Sequence, residues 1–156
     1  MLIKINYDHH QMVQGYLIEV LPSTTFLQLK QNIETVLGAK VARQTLLMNS
    51  LELRDDHNVE FYDLVEESDI TLRYKQLPPG QKLHLTVITP TKWRYRLQVE
   101  ETITVSSLKE EIQKLSNIRA EDMALFYHNN EMEVDDFDLL AYFVSDGSTI
   151  TIKLTP

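Results

Sequence analysis

Thr25-Phe-Leu-Gln-Leu-Lys-Gln-Asn-Ile-Glu-Thr-Val-Leu-Gly38 decides the architecture of this chain. Its apolar residues Phe26, Leu29, Ile33, Val36 and Leu37 recur at three- and four-residue steps, which is one face of an α-helix. Thr25 is placed to cap the first turn, and Gln28, three residues on, to reach back to the cap amide. Gly38 can adopt the left-handed conformation that ends a helix. The same passage is then written again. In Thr104-Val-Ser-Ser-Leu-Lys-Glu-Glu-Ile-Gln-Lys-Leu-Ser-Asn117, Val105, Leu108, Ile112 and Leu115 stand at the same steps, Thr104 at the cap and Asn117 at the stop. Leu29-Lys30-x-x-Ile33 returns as Leu108-Lys109-x-x-Ile112. The sequence predicts two copies of one unit, each built round a helix.

Composition agrees with two small packed domains. The chain has 156 residues, 43% of them hydrophobic, which suits buried cores rather than disorder. The net charge of −8 divides evenly: residues 1–76 carry 7 Lys/Arg against 11 Asp/Glu, and residues 81–156 carry 8 against 12. An acidic balance in both halves argues against nucleic acid and against an anionic membrane surface as partners. With no cysteine there is no disulfide, thiolate metal site or thiol nucleophile. No apolar run approaches the ~18 residues of a membrane span, and the N-terminal residues lack the pattern of a signal peptide. A soluble cytoplasmic protein, also nuclear in a eukaryote, is the expectation.

Read in order, Met1, Ile3 and Ile5 alternate with Leu2, Lys4 and Asn6, and Tyr16, Ile18 and Val20 repeat the pattern, giving two strands joined by a polar loop over Asp8–Gly15. His9-His10 in that loop has no third ligand at a metal-binding spacing, so a solvated pair is the reading. After the helix, Thr45–Met48, Leu51–Leu53 and Ile70–Tyr74 read as strands, with Asn49-Ser50 as a turn and Val59, Tyr62 and Leu64 on a helical turn. Gln76-Leu-Pro-Pro-Gly80 interrupts everything, because two prolines fix φ and remove donors. The domains are therefore set at 1–75 and 83–156, with 76–82 as linker. The second half replays the first, its third strand being Leu125-Phe126-Tyr127 and its last Thr149–Leu154. Tyr62 answers to Tyr142 with an offset one greater than the helices show, which places one extra residue near Glu133.

These residues resemble ubiquitin, twice over. Met1-x-Ile3-x-Ile5, Glu19-Val20-x-Pro22, Lys30-x-x-Ile33, Leu46-Leu47-Met48, Tyr62 and Ser68-x-Ile70-x-Leu72 stand in that family's order. Leu97-x-Val99, Lys109-x-x-Ile112, Leu125-Phe126-Tyr127, Tyr142 and Ser148-x-Ile150-x-Ile152 repeat them. The resemblance implies an α+β fold of two tandem ubiquitin-like β-grasp domains joined by a short Pro-Pro-Gly linker. The two-domain layout is similar to the interferon-induced tandem modifier and its bacterial antiviral counterparts. It also implies that Lys30 pairs with Asp55, and Lys109 with Asp135. Two departures stand out. Modifiers of the family finish in Gly-Gly, whereas this chain reads Lys153-Leu-Thr-Pro156. Leu47 and Phe126 match the central isoleucine of the family's recognition patch, but its neighbour on the last strand is Arg73 or Lys153.

Little else suggests chemistry. The four glycines form no phosphate loop or nucleophile elbow, and the acidic pairs Glu110-Glu111 and Asp135-Asp136 are adjacent residues that diverge rather than a catalytic dyad. The expected function is non-enzymatic and free of cofactors and metals: a monomeric tandem ubiquitin-like protein that docks partner proteins, such as ubiquitin-like-binding or conjugation-machinery proteins, through exposed sheet faces. The alternative is a covalent modifier whose diglycine tail is missing from this chain. Alternation puts Phe126 opposite Leu125 and Tyr127, on one face with Thr151 and Lys153. The docking residues expected are these three and their first-half counterparts Leu47, Thr71 and Arg73.

Overall fold

A computed structural model describes residues 1–9 and 12–155, giving the backbone alone for 8, 9 and 12–14. The chain divides into two units, Met1–Gln76 and a second beginning at Leu77. In the first, β1 (Leu2–His9) and β2 (Met12–Glu19) precede α1 (Phe26–Leu37), followed by β3 (Gln44–Met48), β4 (Leu51–Glu52) and β5 (Asp69–Tyr74). The second holds β6 (Lys82–Ile88), β7 (Arg94–Glu100), α2 (Val105–Ser116), β8 (Met123–Tyr127), β9 (Asn130–Glu131) and β10 (Thr149–Leu154). The sheet orders are β2-β1-β5-β3-β4 and β7-β6-β10-β8-β9. In each, the first and last strands of the unit run parallel at the centre and every other pair is antiparallel. One mixed sheet to one helix, twice, is the α+β, β-grasp arrangement.

The helices start and stop as their sequences dictate. Thr25 accepts the Gln28 N–H at 3.1 Å while the Gln28 side chain accepts the Thr25 N–H at 2.9 Å, a complete capping box. Thr104 accepts the Ser107 N–H at 3.2 Å. Gly38 (φ 77°) and Asn117 (φ 61°) take the left-handed conformation that closes each helix. Phe26, Leu29 and Ile33, and likewise Val105, Leu108 and Ile112, are buried beneath the sheets, each contributing about 1.5–3 kcal/mol. Val36 and Leu115 were expected on the same faces but are 43% and 45% exposed. They occupy the same place in the last turn of each helix, where the core has already been filled.

The hairpin at the N-terminus differs from its reading as a long loop. Strand pairing continues through Asp8↔Val13 to His9↔Met12. Polar side chains do not break a ladder made by the backbone, and no proline stands between residues 8 and 14 to remove a donor. The His9-His10 pair falls outside the described side chains. Asn49-Ser50 and His128-Asn129, with φ of 51°, 69°, 50° and 63°, are the two-residue turns with both central residues at positive φ that match the twist of a hairpin.

Both units pin a loop in the same way. The Tyr62 hydroxyl accepts the Arg54 N–H at 3.1 Å and the Tyr142 hydroxyl accepts the Val134 N–H at 3.0 Å, each pinning the loop before the last strand. Leu53 N–H donates to Leu46 O as Met132 N–H donates to Leu125 O. The one-residue surplus of the second unit is thus Glu133, the residue between Met132 and Val134. At the other boundary, the Leu77 N–H donates to Glu101 Oε1 at 2.7 Å and Leu77 packs on the second core, so this residue belongs to the second unit although it precedes both prolines.

Candidate functional site

Because strand residues alternate between faces, each sheet has one side on its helix and one side free. In the second unit the pairing Arg94↔Ile88↔Thr151↔Phe126↔Glu131 runs as a single row across all five strands on the free side. Arg96↔Thr86↔Thr149 lies on one flank and Lys153↔Ala124 on the other. Phe126, Ile88 and Thr151 are partly exposed, while Val87, Leu125 and Ile150 beside them in sequence are buried. The Lys153 ammonium sits 4.4 Å from the centroid of the Phe126 ring, a cation–π contact. Arg94 and Arg96 add charge at the edge of the same surface, both exposed. The face is apolar at its middle, with the arginines at one end of the row, Lys153 on a flank and the exposed Glu131 at the other end.

The equivalent row of the first unit is Gly15↔Asn6↔Thr71↔Leu47↔Glu52, with Thr45↔Arg73 beside it. Thr71 and Arg73 are exposed, but Leu47 is only 8% exposed between Thr71 and Glu52. Gly15 and Asn6 stand where Arg94 and Ile88 stand in the second unit. The Asn6 and Lys4 side chains close over Gly15: a Cβ there would lie 2.9 Å from Asn6 Oδ1 and 3.0 Å from Lys4 Cε, so both would have to move aside. So the six candidate residues fall into two groups. Phe126, Thr151 and Lys153 form one surface with an accessible aromatic centre, whereas Leu47, Thr71 and Arg73 share a face whose apolar member is largely covered.

Ile88, Arg94 and Arg96 were missed at the level of sequence. Ile88 carried a signal, since it is apolar but out of phase with Leu83, Leu85 and Val87. The arginines carried none, because their place beside Phe126 depends on the parallel β6–β10 pairing, a contact between strands more than sixty residues apart.

The remaining charged motifs are engaged structurally. Lys30 Nζ lies 2.7 Å from Asp55 Oδ1 and Lys109 Nζ 2.9 Å from Asp135 Oδ1, with the lysine side chains 10% and 14% exposed. Each nearly buried ammonium is paired with a loop carboxylate that still meets water, as the resemblance implied. Glu111 pairs with Lys114 at 3.1 Å. Burial raises the Tyr142 phenol above its ordinary pKa, and nearby carboxylates add to the effect. Among the described residues no three His, Asp or Glu side chains converge to hold a metal.

Two copies of a five-stranded mixed sheet gripping a single helix, each with a loop pinned by a tyrosine and a lysine–carboxylate pair, define a tandem ubiquitin-like protein. The model of the Ubiquitin family matches residues 5–77 and again 85–156, and the chain belongs to that family. Similar solved structures include the ubiquitin-like domain of an Arabidopsis thaliana protein, 31% identical, covering 54% of this chain and 88% of that one with a TM-score of 0.48. Another is the UBL domain of Plasmodium falciparum Dsk2, 20% identical, covering 47% of this chain and 99% of that one with a TM-score of 0.46.

Proposed function

We propose that this protein is a non-catalytic docking module whose second domain binds partner proteins through the free face of its sheet. The observation that carries the reading is the row Arg94–Ile88–Thr151–Phe126, with Lys153 laid over the Phe126 ring. A partly exposed aromatic ring beside a cation offers apolar contact area next to a charge, the usual make-up of an interface hot spot. Arginines at the rim favour a partner whose contact surface is apolar at its centre and carries carboxylates at its edge. The first domain offers a weaker version of this face, since Leu47 is nearly covered.

Phe126→Ala in the full-length protein tests the proposal. Partner capture falls while the stability of the second domain stays within about 1 kcal/mol of wild type, as expected for a partly exposed ring outside the core cluster. Undiminished capture by a folded Phe126→Ala protein refutes it. Arg94→Glu should slow association and make it less sensitive to salt, because a rim charge acts mainly on encounter.

A further inference from the structure

The loop before the last strand is solved differently in the two units. In the second, Phe137, Ala141, Phe143 and Val144 are turned inward and are 8%, 6%, 4% and 0% exposed. In the first, the corresponding segment leaves Phe61 61% and Val65 68% exposed. Exposure of Phe61 is not slackness. Its ring stacks on His57 with centroids 3.8 Å apart and planes 25° from parallel. The Tyr62 ring meets it edge-on at 5.0 Å and 81°. Its backbone N–H donates to Asn58 Oδ1 at 2.8 Å. His57 is itself tied down, with Nδ1 3.0 Å from the Tyr62 hydroxyl that also accepts the Arg54 N–H. Phe61 is therefore an ordered aromatic platform, stacked on an imidazole and met by the Tyr62 ring, with most of its surface still in water.

The surroundings of this platform are anionic. Between residues 54 and 67 the chain carries one cation, Arg54, and six carboxylates. Arg54 is held by Asp56, Asp55 is taken by Lys30, and Glu66 Oε1 accepts the Leu2 N–H at 2.8 Å. Glu60, Asp63 and Glu67 are exposed and make no ion pair among the described residues. Leu21, 64% exposed, precedes Pro22, whose carbonyl accepts the Glu60 N–H at 3.0 Å and ties the two segments together.

We infer that this loop is a second docking site, for a basic segment of a partner protein. An arginine or lysine of that segment lies over the open part of the Phe61 ring, with Glu60 and Asp63 as counter-charges and Leu21 and Val65 receiving its aliphatic stem. The site is separate from the Phe126 face and stands whether or not that face binds anything. Its charge selects the occupant: a surface of free carboxylates round an aromatic ring excludes acidic or purely apolar segments and attracts a cationic one.

Titrating isotope-labelled full-length protein with a short alternating Arg–Gly peptide, against an alternating Glu–Gly peptide, tests the inference. The Arg–Gly peptide should shift amides of residues 57–67 and leave the corresponding loop of the second unit alone. Phe61→Ala should weaken binding about two- to fivefold, equivalent to ~0.5–1 kcal/mol for one exposed cation–π contact. Phe61→Leu, which keeps apolar bulk without the aromatic face, should weaken it as well. Glu60→Lys with Asp63→Lys should abolish it. Shifts spread over every acidic surface with no effect of Phe61→Ala would overturn the site as mere attraction to net charge. Salt-sensitive self-association of the protein that Arg94→Glu removes and Phe61→Ala also removes would overturn the choice of occupant, making it a second copy of this chain.

Discussion

Ile112 and Leu115 stand one turn apart on α2, and sequence periodicity gives them equal standing in the core. The structure does not: Ile112 is 1% exposed and Leu115 45%. Ile112→Ala removes three carbons from a site that water does not reach. At about 0.8 kcal/mol per buried methylene the transfer loss alone is ~2.4 kcal/mol. The cavity left in the core of the second unit raises the expected loss to about 2.5–4 kcal/mol. Leu115→Ala removes as many carbons from a half-exposed position, and alanine is the better helix former, so the expected loss is about 1 kcal/mol or less. Urea denaturation followed by the amide resonances of the second unit measures both, since Trp93 is 69% exposed and its fluorescence would change little on unfolding. The midpoint should fall for both variants at unchanged slope, and more than twice as far for Ile112→Ala. Equal losses would refute the packing assigned to the last turn of this helix.

Tyr142→Phe removes the acceptor that holds the Val134 N–H, and should destabilise the second unit by about 0.5–1.5 kcal/mol, nearer the lower figure because Val134 is 39% exposed and water can replace the hydroxyl. An unchanged urea transition would mean that the bond does not contribute. Asp146 accepts the His84 backbone N–H at 2.7 Å and the His84 ring nitrogen at 2.9 Å, and these bonds hold its carboxyl below the usual carboxylate range. A depressed folded pKa means stabilisation that is present above the unfolded value and lost as pH falls through the folded one. Asp146→Asn should therefore flatten the acid limb of stability below about pH 4, by less than ~1 kcal/mol because both groups are mostly exposed. A stability–pH curve identical to wild type contradicts this.

What the sequence revealed most clearly was what depends on local chemistry. Thr25, Gln28 and Gly38 mark their helix ends by short-range bonding, and the repeat of that pattern at Thr104 and Asn117 made two units legible. The surplus residue at Glu133 was legible too, because it follows from comparing one half with the other, whereas the pairing of Lys109 with Asp135 was implied by the resemblance to ubiquitin. Val36 and Leu115 misled because periodicity defines the direction of a helix face but not how far the opposing sheet extends beneath it. The extra length of the β1–β2 hairpin was hidden because ladder pairing belongs to the backbone, not to side-chain polarity. The candidate site was half visible. Alternation alone placed Phe126 with Thr151 and Lys153, but the row through Ile88 to Arg94 needed the register of strands far apart in the chain. Phe61 gave no signal, since the same loop in the second unit buries its aromatic residues.

All of this rests on each unit holding its own core. The most direct measurement is the amide spectrum of residues 77–156 alone, a fragment that keeps Leu77 on its core and bonded to Glu101. The account predicts a well-dispersed spectrum in which the β6–β10 and α2 resonances coincide with those of the full-length protein, and a cooperative urea transition by far-ultraviolet circular dichroism. A collapsed spectrum, or a fragment that orders only when residues 1–76 are supplied, would contradict it.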